Sequence, residues 1–275
     1  MNFWQELIVL LSFTFAGIYA GMLISHLKGR LWLLGSFFSV SILALLAADR
    51  FFHFLPFAKP LIILLAGRSR FVVVAFTVTM GLTPLLPRTN IFYQKVFLTI
   101  VIITSLIWFS ILPFVMPVLM KNRLLSLPTI INSDGVCFQS TDYTCAPAAA
   151  VTALGKLGLD AHEGEIAYLS YTNPITGTFP LCLENAIQSR YADRGLDCHY
   201  RRFDSIDDLK DAGLTIVVIK STFLWDHCIV VLEVDDRYVY LADPVIGKVR
   251  IIRWQFERMW RFSGITLKAA PSVHT

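Results

Sequence analysis

Acidic side chains are almost missing from the first 122 residues, which carry two of them against nine Lys and Arg. None lies well inside a long apolar run. Intramembrane ionisable groups are the usual mark of a transport or proton path, so their scarcity points to an anchor and docking surface rather than a carrier. The five cysteines (137, 145, 182, 198 and 228) form no C-x-x-C pair and match no common zinc spacing, which argues against a structural metal despite the adjacent Cys198-His199 and His227-Cys228 pairs. Their odd number fits free thiols in a reducing compartment better than a disulfide framework. Cys182, Cys198 and Cys228 read as small buried hydrophobes. No P-loop G-x-x-x-x-G-K-[ST] is present, so the chain carries no nucleotide motor of that kind. Internal repeats and low-complexity stretches are absent, and nothing in the chain calls for a cofactor.

What is abundant is apolar sequence, 55% of the 275 residues, concentrated before Lys121. Residues 7–24, 31–48, 71–86 and 96–119 are long and nearly free of charge. Each is close to the roughly 20 residues that cross ~30 Å of hydrocarbon. The segment 51–67 is apolar but short, and His53, Pro56, Lys59 and Pro60 interrupt it, so it reads as a fifth span, a re-entrant piece or an interfacial helix. The expectation is a transmembrane region of four to five spans over residues 1–122. Whether four or five, Arg68, Arg70, Lys121 and Arg123 share one side, and the positive-inside rule places the C-terminal half of the chain in the cytoplasm. Residues 123–275 carry fifteen basic against eighteen acidic side chains, so the formal charge of +4 belongs to the membrane loops and no nucleic acid is expected as a partner.

After a linker at 123–132 the pattern becomes that of a compact α+β domain over residues 133–275. Helices are expected at 144–157, stopped by Gly158, at 163–171, and at 181–194, stopped by Gly195. Another starts at Asp207-Asp208-Leu209 after Ser205. The β-branched runs 214–220, 228–234, 238–242, 248–252 and 264–267 read as strands, with a tight connection at Asp235-Asp236-Arg237.

Four residues of this half stand out together. Gln139-Ser-Thr-Asp-Tyr-Thr-Cys145-Ala-Pro runs into the first helix, Asp226-His227-Cys-Ile-Val-Val opens a strand, and Ala242-Asp243-Pro244 comes sixteen residues after the histidine. A nucleophilic thiol needs a base, the base needs an orienting acceptor, and a tetrahedral intermediate needs a donor for its oxyanion. Cys145 at a helix N-terminus would feel the positive end of the macrodipole, which favours the thiolate. Each residue also has a plain reading: a packed cysteine, a structural histidine, a turn acid before proline, a solvated loop amide. Their order and settings taken together favour catalysis.

Helices first, antiparallel strands after, with the thiol on the leading helix, is the architecture of a papain-like cysteine peptidase domain. Residues 133–267 resemble the bacteriocin-processing endopeptidases of the C39 peptidase family, and more closely its stand-alone double-glycine peptidase-like members. The residues that carry the resemblance are Gln139-x5-Cys145, Asp142-Tyr143-Thr144-Cys145, Gly177-Thr178, Asp226-His227-x-Ile-Val-Val, and Ala242-Asp243-Pro244 followed by Gly247. It implies Cys145 as nucleophile, His227 as general base and acid, Asp243 as the orienter of the imidazole and Gln139 as the oxyanion-hole side chain. It also implies a peptide or leader-bearing substrate with small residues, typically Gly-Gly, before the cut. Ala146 stands where the family usually has Gly, and Thr144 where many members have Asp or Ser. The family's best-known setting is the N-terminal end of an ATP-driven exporter. Here the domain comes after the apolar segments, so an exporter would be a separate partner beside a protein embedded in a bacterial inner membrane. A leader-binding module without activity and a papain-like acyltransferase are the competing readings.

Overall fold

The computed structural model describes residues 3–52, 67–222 and 226–269, which fall into two compact units, Met1–Met116 and Pro117–Thr275. Most of the doubtful apolar segment, with His53, Pro56, Lys59 and Pro60, lies outside the described residues.

The first unit holds α1 (Phe3–Ser25), α2 (Leu33–Phe52), α3 (Ser69–Leu82) and α4 (Phe92–Leu106). The unit boundary falls within α5 (Leu112–Leu119). Helices α1 and α3 pack closely because Gly17 and Gly21 present no side chain: a Cβ at Gly17 would lie 2.7 Å from the Phe76 carbonyl, and one at Gly21 2.7 Å from Thr83 Cβ. Polar groups turn inward. Thr77 and Thr79 are buried, and the Thr79 hydroxyl donates to its own helix at Ala75 O, 2.7 Å away. Arg68, also buried, pairs with Glu6 at 3.1 Å and sits over the Phe114 ring. Large apolar side chains instead face outward, among them Phe15, Tyr19, Phe37, Phe38, Phe92 and Phe97. That is the reverse of the arrangement water imposes on a helical domain.

Among the described residues two helices are long and apolar enough to cross a membrane, Gln5–Ser25 and Ser69–Arg88. Leu33–Ala48 and Phe92–Leu106 are apolar but shorter, so the expected count of four to five spans is not reached. Two physical causes shorten them. The apolar part of α2 stops ahead of Asp49 and Arg50, and the run expected at 96–119 is divided by a π-turn at Ile107–Ile111 and by Pro113 and Pro117.

The second unit begins with α6 (Lys121–Leu125) and the short antiparallel pair β1 (Ile130–Ile131) and β2 (Cys137–Phe138). Three helices come next: α7 (Cys145–Lys156), α8 (Glu163–Leu169) and α9 (Pro180–Tyr191). Then come β3 (Leu196–Arg202), α10 (Asp207–Lys210), β4 (Leu214–Lys220), β5 (Asp226–Val234), β6 (Tyr238–Asp243), β7 (Gly247–Ile252), α11 (Arg253–Met259) and β8 (Trp260–Ala269). Six strands form one antiparallel sheet in the order β3-β8-β4-β5-β6-β7. This is an α+β domain, with helices leading and an antiparallel sheet following.

Helix α7 is buried along most of its length, and five of its twelve residues are alanine. Small residues combine high helix propensity with a thin profile, so the helix backbone lies close to the sheet. Strand alternation divides the sheet between two cores. Val230 and Ala242 face α7 with Leu154, Ile166 and Leu183, while Ile229, Val231 and Leu241 face Trp260, Phe256 and Phe203. The stops at Gly158 and Gly195 are left-handed, with φ of 74° and 73°.

Strand β4 has the expected bounds and α11 was not expected. Strand β3 was also missed: Asp197, His199 and Arg201 make it polar, because it is an edge strand paired only to β8. Strand β8 starts at Trp260 rather than at residue 264, past an irregularity in its pairing with β4 and a Phe262 backbone at φ 51°.

Leu124 is fully buried, and its carbonyl lies where a side chain on Gly164 would stand, with Leu125 O also 3.2 Å from that point. Gly164→Ala should therefore lower stability by about 1–3 kcal/mol through overpacking, read as the urea midpoint of the purified chain; an unchanged midpoint would contradict this contact.

Candidate active site

Three elements converge on one point. Cys145 is the first residue of α7, His227 the second of β5, and Asp243 the last of β6. The approach to Cys145 is fixed by Thr144, a buried residue whose hydroxyl bonds back to Thr141 at both its N–H and its carbonyl, each at 3.1 Å. That hydroxyl is turned away from α7, which begins with no side-chain cap. The positive end of the helix is thus left for the thiol and whatever it binds.

His227 Nε2 lies 2.9 Å from Asp243 Oδ1, and both side chains are largely buried. The carboxylate is held in turn: Asp243 Oδ1 accepts the Val245 N–H at 2.8 Å, in a tight β6–β7 turn closed by the Asp243–Gly247 pair with Gly247 at φ 87°. With Nε2 committed to Asp243, the other ring nitrogen is left for Cys145, whose sulfur hydrogen-bonds to the His227 ring. Gln139 reaches the same place by its backbone, donating its N–H to Pro244 O at 3.0 Å, immediately beyond Asp243. Its side-chain Oε1 is buried without a hydrogen-bond partner among the described residues, as is the Tyr143 hydroxyl.

All four expected residues therefore lie on the segments that meet here. One neighbour escapes a reading of the sequence. Cys228 is more than a small buried hydrophobe: its thiol and its backbone N–H both hydrogen-bond to the Cys145 sulfur. The only hint in the chain is its position next to His227, and neighbours on a strand ordinarily point to opposite faces.

The electrostatics arise from these contacts. The hydrogen bond from Cys228 holds the Cys145 thiol well below the ordinary cysteine range; burial opposes this, and the ring and charge of His227 add to it. Burial alone would lower the His227 pKa, but hydrogen bonds to Asp243 and Cys145, with their charges, raise it to about 9. Asp243 is pulled down despite its burial by His227 and by the backbone N–H groups of its turn. Cys228 is driven up by the adjacent thiolate and by burial. Burial first, then nearby carboxylates, push Cys137 and Cys198 up to about 12. Cys145 thus stands apart as the thiol whose pKa is held down, beside a His227 ring whose pKa is raised, the pairing that favours a thiolate. Among the described residues no three His, Cys, Asp or Glu side chains converge on a point that would hold a metal ion.

Comparisons with known proteins agree on the same half of the chain. The model of the Peptidase C39 family matches residues 134–273. An uncharacterized protein of Methanothermobacter marburgensis is 34% identical over 134 residues, 49% of this chain and 88% of that protein. An uncharacterized protein of Methanothermobacter thermautotrophicus is 28% identical over 134 residues, with the same coverage of each chain. Among solved structures, a double glycine motif protease from an AMS/PCAT transporter, in complex with the leader peptide, covers 52% of this chain and 94% of its own, at 18% identity and a TM-score of 0.42. The peptidase domain of Streptococcus ComA, a bi-functional ABC transporter, covers 52% and 99%, at 20% identity and a TM-score of 0.42.

Alkylation of Cys145 by iodoacetamide should reach its plateau rate well below pH 8.5, the ordinary thiol pKa, because the thiolate already predominates there. Cys228→Ala removes the largest cause of that shift and should move the plateau to higher pH. A wild-type rate that climbs about tenfold per unit through pH 8 would contradict the thiolate.

Proposed function

We propose, from the premise that the chain belongs to the Peptidase C39 family, that it is a membrane-anchored cysteine endopeptidase. Its substrate is a peptide or leader-bearing protein cut after small residues such as Gly-Gly. The observation that carries this reading is the His227 ring, held by Asp243 at one nitrogen and hydrogen-bonded to the Cys145 sulfur. Membership of the family makes a cysteine peptidase the kind of activity to expect, and the resemblance of the motifs supplies the preference for small residues.

In the proposed mechanism the Cys145 thiolate attacks the carbonyl carbon of the scissile peptide. The carbonyl π pair moves onto oxygen, and that oxyanion accepts hydrogen bonds from the Gln139 carboxamide and a backbone N–H at the start of α7. Collapse of the tetrahedral intermediate breaks the C–N bond as the His227 imidazolium gives its proton to the leaving amine. The thioester on Cys145 is then attacked by water, from which His227, now neutral, takes a proton. Release of the carboxylic acid restores the thiolate–imidazolium pair. Asp243 stays ionised throughout and holds the ring.

Two observations support anchorage: two long apolar helices and the outward-facing aromatic side chains of the first unit. The positive-inside bias of Arg68, Arg70, Lys121 and Arg123 supports a cytoplasmic peptidase domain. Held at the surface, the enzyme meets tethered or exported peptides at a raised effective concentration, beside a separate exporter.

Cys145→Ala should reduce cleavage of a Gly-Gly peptide to background while leaving its binding intact, with products identified by mass spectrometry. Equal cleavage by this variant would overturn the reading. Product carrying an added amine in place of water would move the assignment to acyl transfer.

A further inference from the structure

Glu163 is a carboxylate with no exposed surface, and the mechanism above does not use it. An anion this deep is tolerated only where hydrogen bonds replace water. Its partners lie on one residue: Oε1 accepts the Ser140 backbone N–H at 2.9 Å and Oε2 meets the Ser140 hydroxyl at 2.8 Å. That hydroxyl shares its single proton with Pro128 O, also at 2.8 Å. The Glu163 N–H donates to Thr129 Oγ1 at 2.9 Å. Glu163, at the start of α8, thereby ties the helix to the 128–129 segment and to the residue directly after Gln139.

Fixing the N–H on each side of a Cα fixes that residue's φ and ψ. At Gln139 one anchor is Pro244 O, which accepts its own N–H at 3.0 Å; the other is Glu163, which holds the next N–H in the chain. The second bond is charge-assisted and short. The Gln139 side chain has no comparable restraint, since its buried Oε1 lacks a partner among the described residues. The direction of the carboxamide is therefore set by the backbone from which it projects.

We infer that Glu163 is a positioning residue for the oxyanion hole, acting through the Ser140 backbone N–H to aim the Gln139 carboxamide at the developing charge. The inference rests on the peptidase reading above. Glutamine at this site satisfies the same groups: its carbonyl accepts the Ser140 N–H, and its NH2 donates to the Ser140 oxygen, freeing that proton for Pro128 O. Alanine satisfies none of them.

Glu163→Ala should lower kcat on a Gly-Gly peptide about 10- to 100-fold with KM nearly unchanged, short of the roughly 10²–10³ lost with an oxyanion donor itself. Glu163→Gln should restore most of that loss. Cys145 alkylation, which needs no oxyanion hole, should keep its wild-type rate in both variants. In the background of Gln139→Ala, removing Glu163 should cost nothing further, because the group it positions is gone. An unchanged kcat in Glu163→Ala, a parallel fall in alkylation, or additive losses in the double variant would each overturn the inference. Amide exchange at Ser140 reads the clamp without any substrate. Faster exchange there in Glu163→Ala, with residues 148–154 unaltered, supports it, and no change at Ser140 overturns it. A wild type that alkylates normally but cuts no peptide would count against the peptidase reading, and the exchange result would still decide the clamp.

Discussion

The His227 ring meets the Asp243 carboxylate at 2.9 Å where β5 and β6 run side by side, and the chemistry of the second unit depends on that contact. It selects which ring nitrogen faces the thiol, and with the neighbouring thiolate it raises the imidazole pKa to about 9. An imidazolium at neutral pH is what a buried thiolate needs opposite it; without one, desolvation would keep the sulfur protonated. Burial works against every charge in the site. The bonds win because each ion has a partner: Asp243 has the ring and the turn N–H groups, and Cys145 has the ring and Cys228.

The scaffold supplies these contacts with little freedom to lose. An antiparallel register that sets Asp243 against Gly247 closes the turn that holds the carboxylate, and a buried alanine-rich helix brings the thiol down to the sheet. Thr144 locks the backbone just ahead of the thiol by turning its hydroxyl to Thr141. Gln139 is stitched to the same turn through Pro244. The candidate groups thus come from helix and strand ends, and the segments beside them are pinned by their own hydrogen bonds.

Much of this was legible because the informative signals are local. Helix α7 could be placed from Thr144 and Gly158, and β4 from its unbroken β-branched run. Spacing and order of Gln139, Cys145, His227 and Asp243 were enough to single out segments that the fold brings together. What could not be read was whatever depends on partners distant in the chain. Strand β3 exists because β8 offers an edge, so its polar sequence gives no sign of it. Cys228 owes its place against Cys145 to the packing of β5 on α7. Glu163 looks like an ordinary acid in the first turn of a helix until Ser140, 23 residues earlier, is found against it. In the first unit the count of four to five spans is not confirmed: among the described residues two helices are long and apolar enough, and hydropathy does not register the π-turn that divides the run at 96–119.

The chain joins an apolar, outward-facing helical unit to a domain of the Peptidase C39 family in which Cys145, His227 and Asp243 lie on converging elements. The most direct test of that site is to treat the full chain with a peptide chloromethyl ketone ending in Gly-Gly and locate the adduct by mass spectrometry. The account predicts a single adduct on Cys145 that is lost in His227→Ala. Equal modification of His227→Ala, or an adduct spread over the other cysteines, would contradict it.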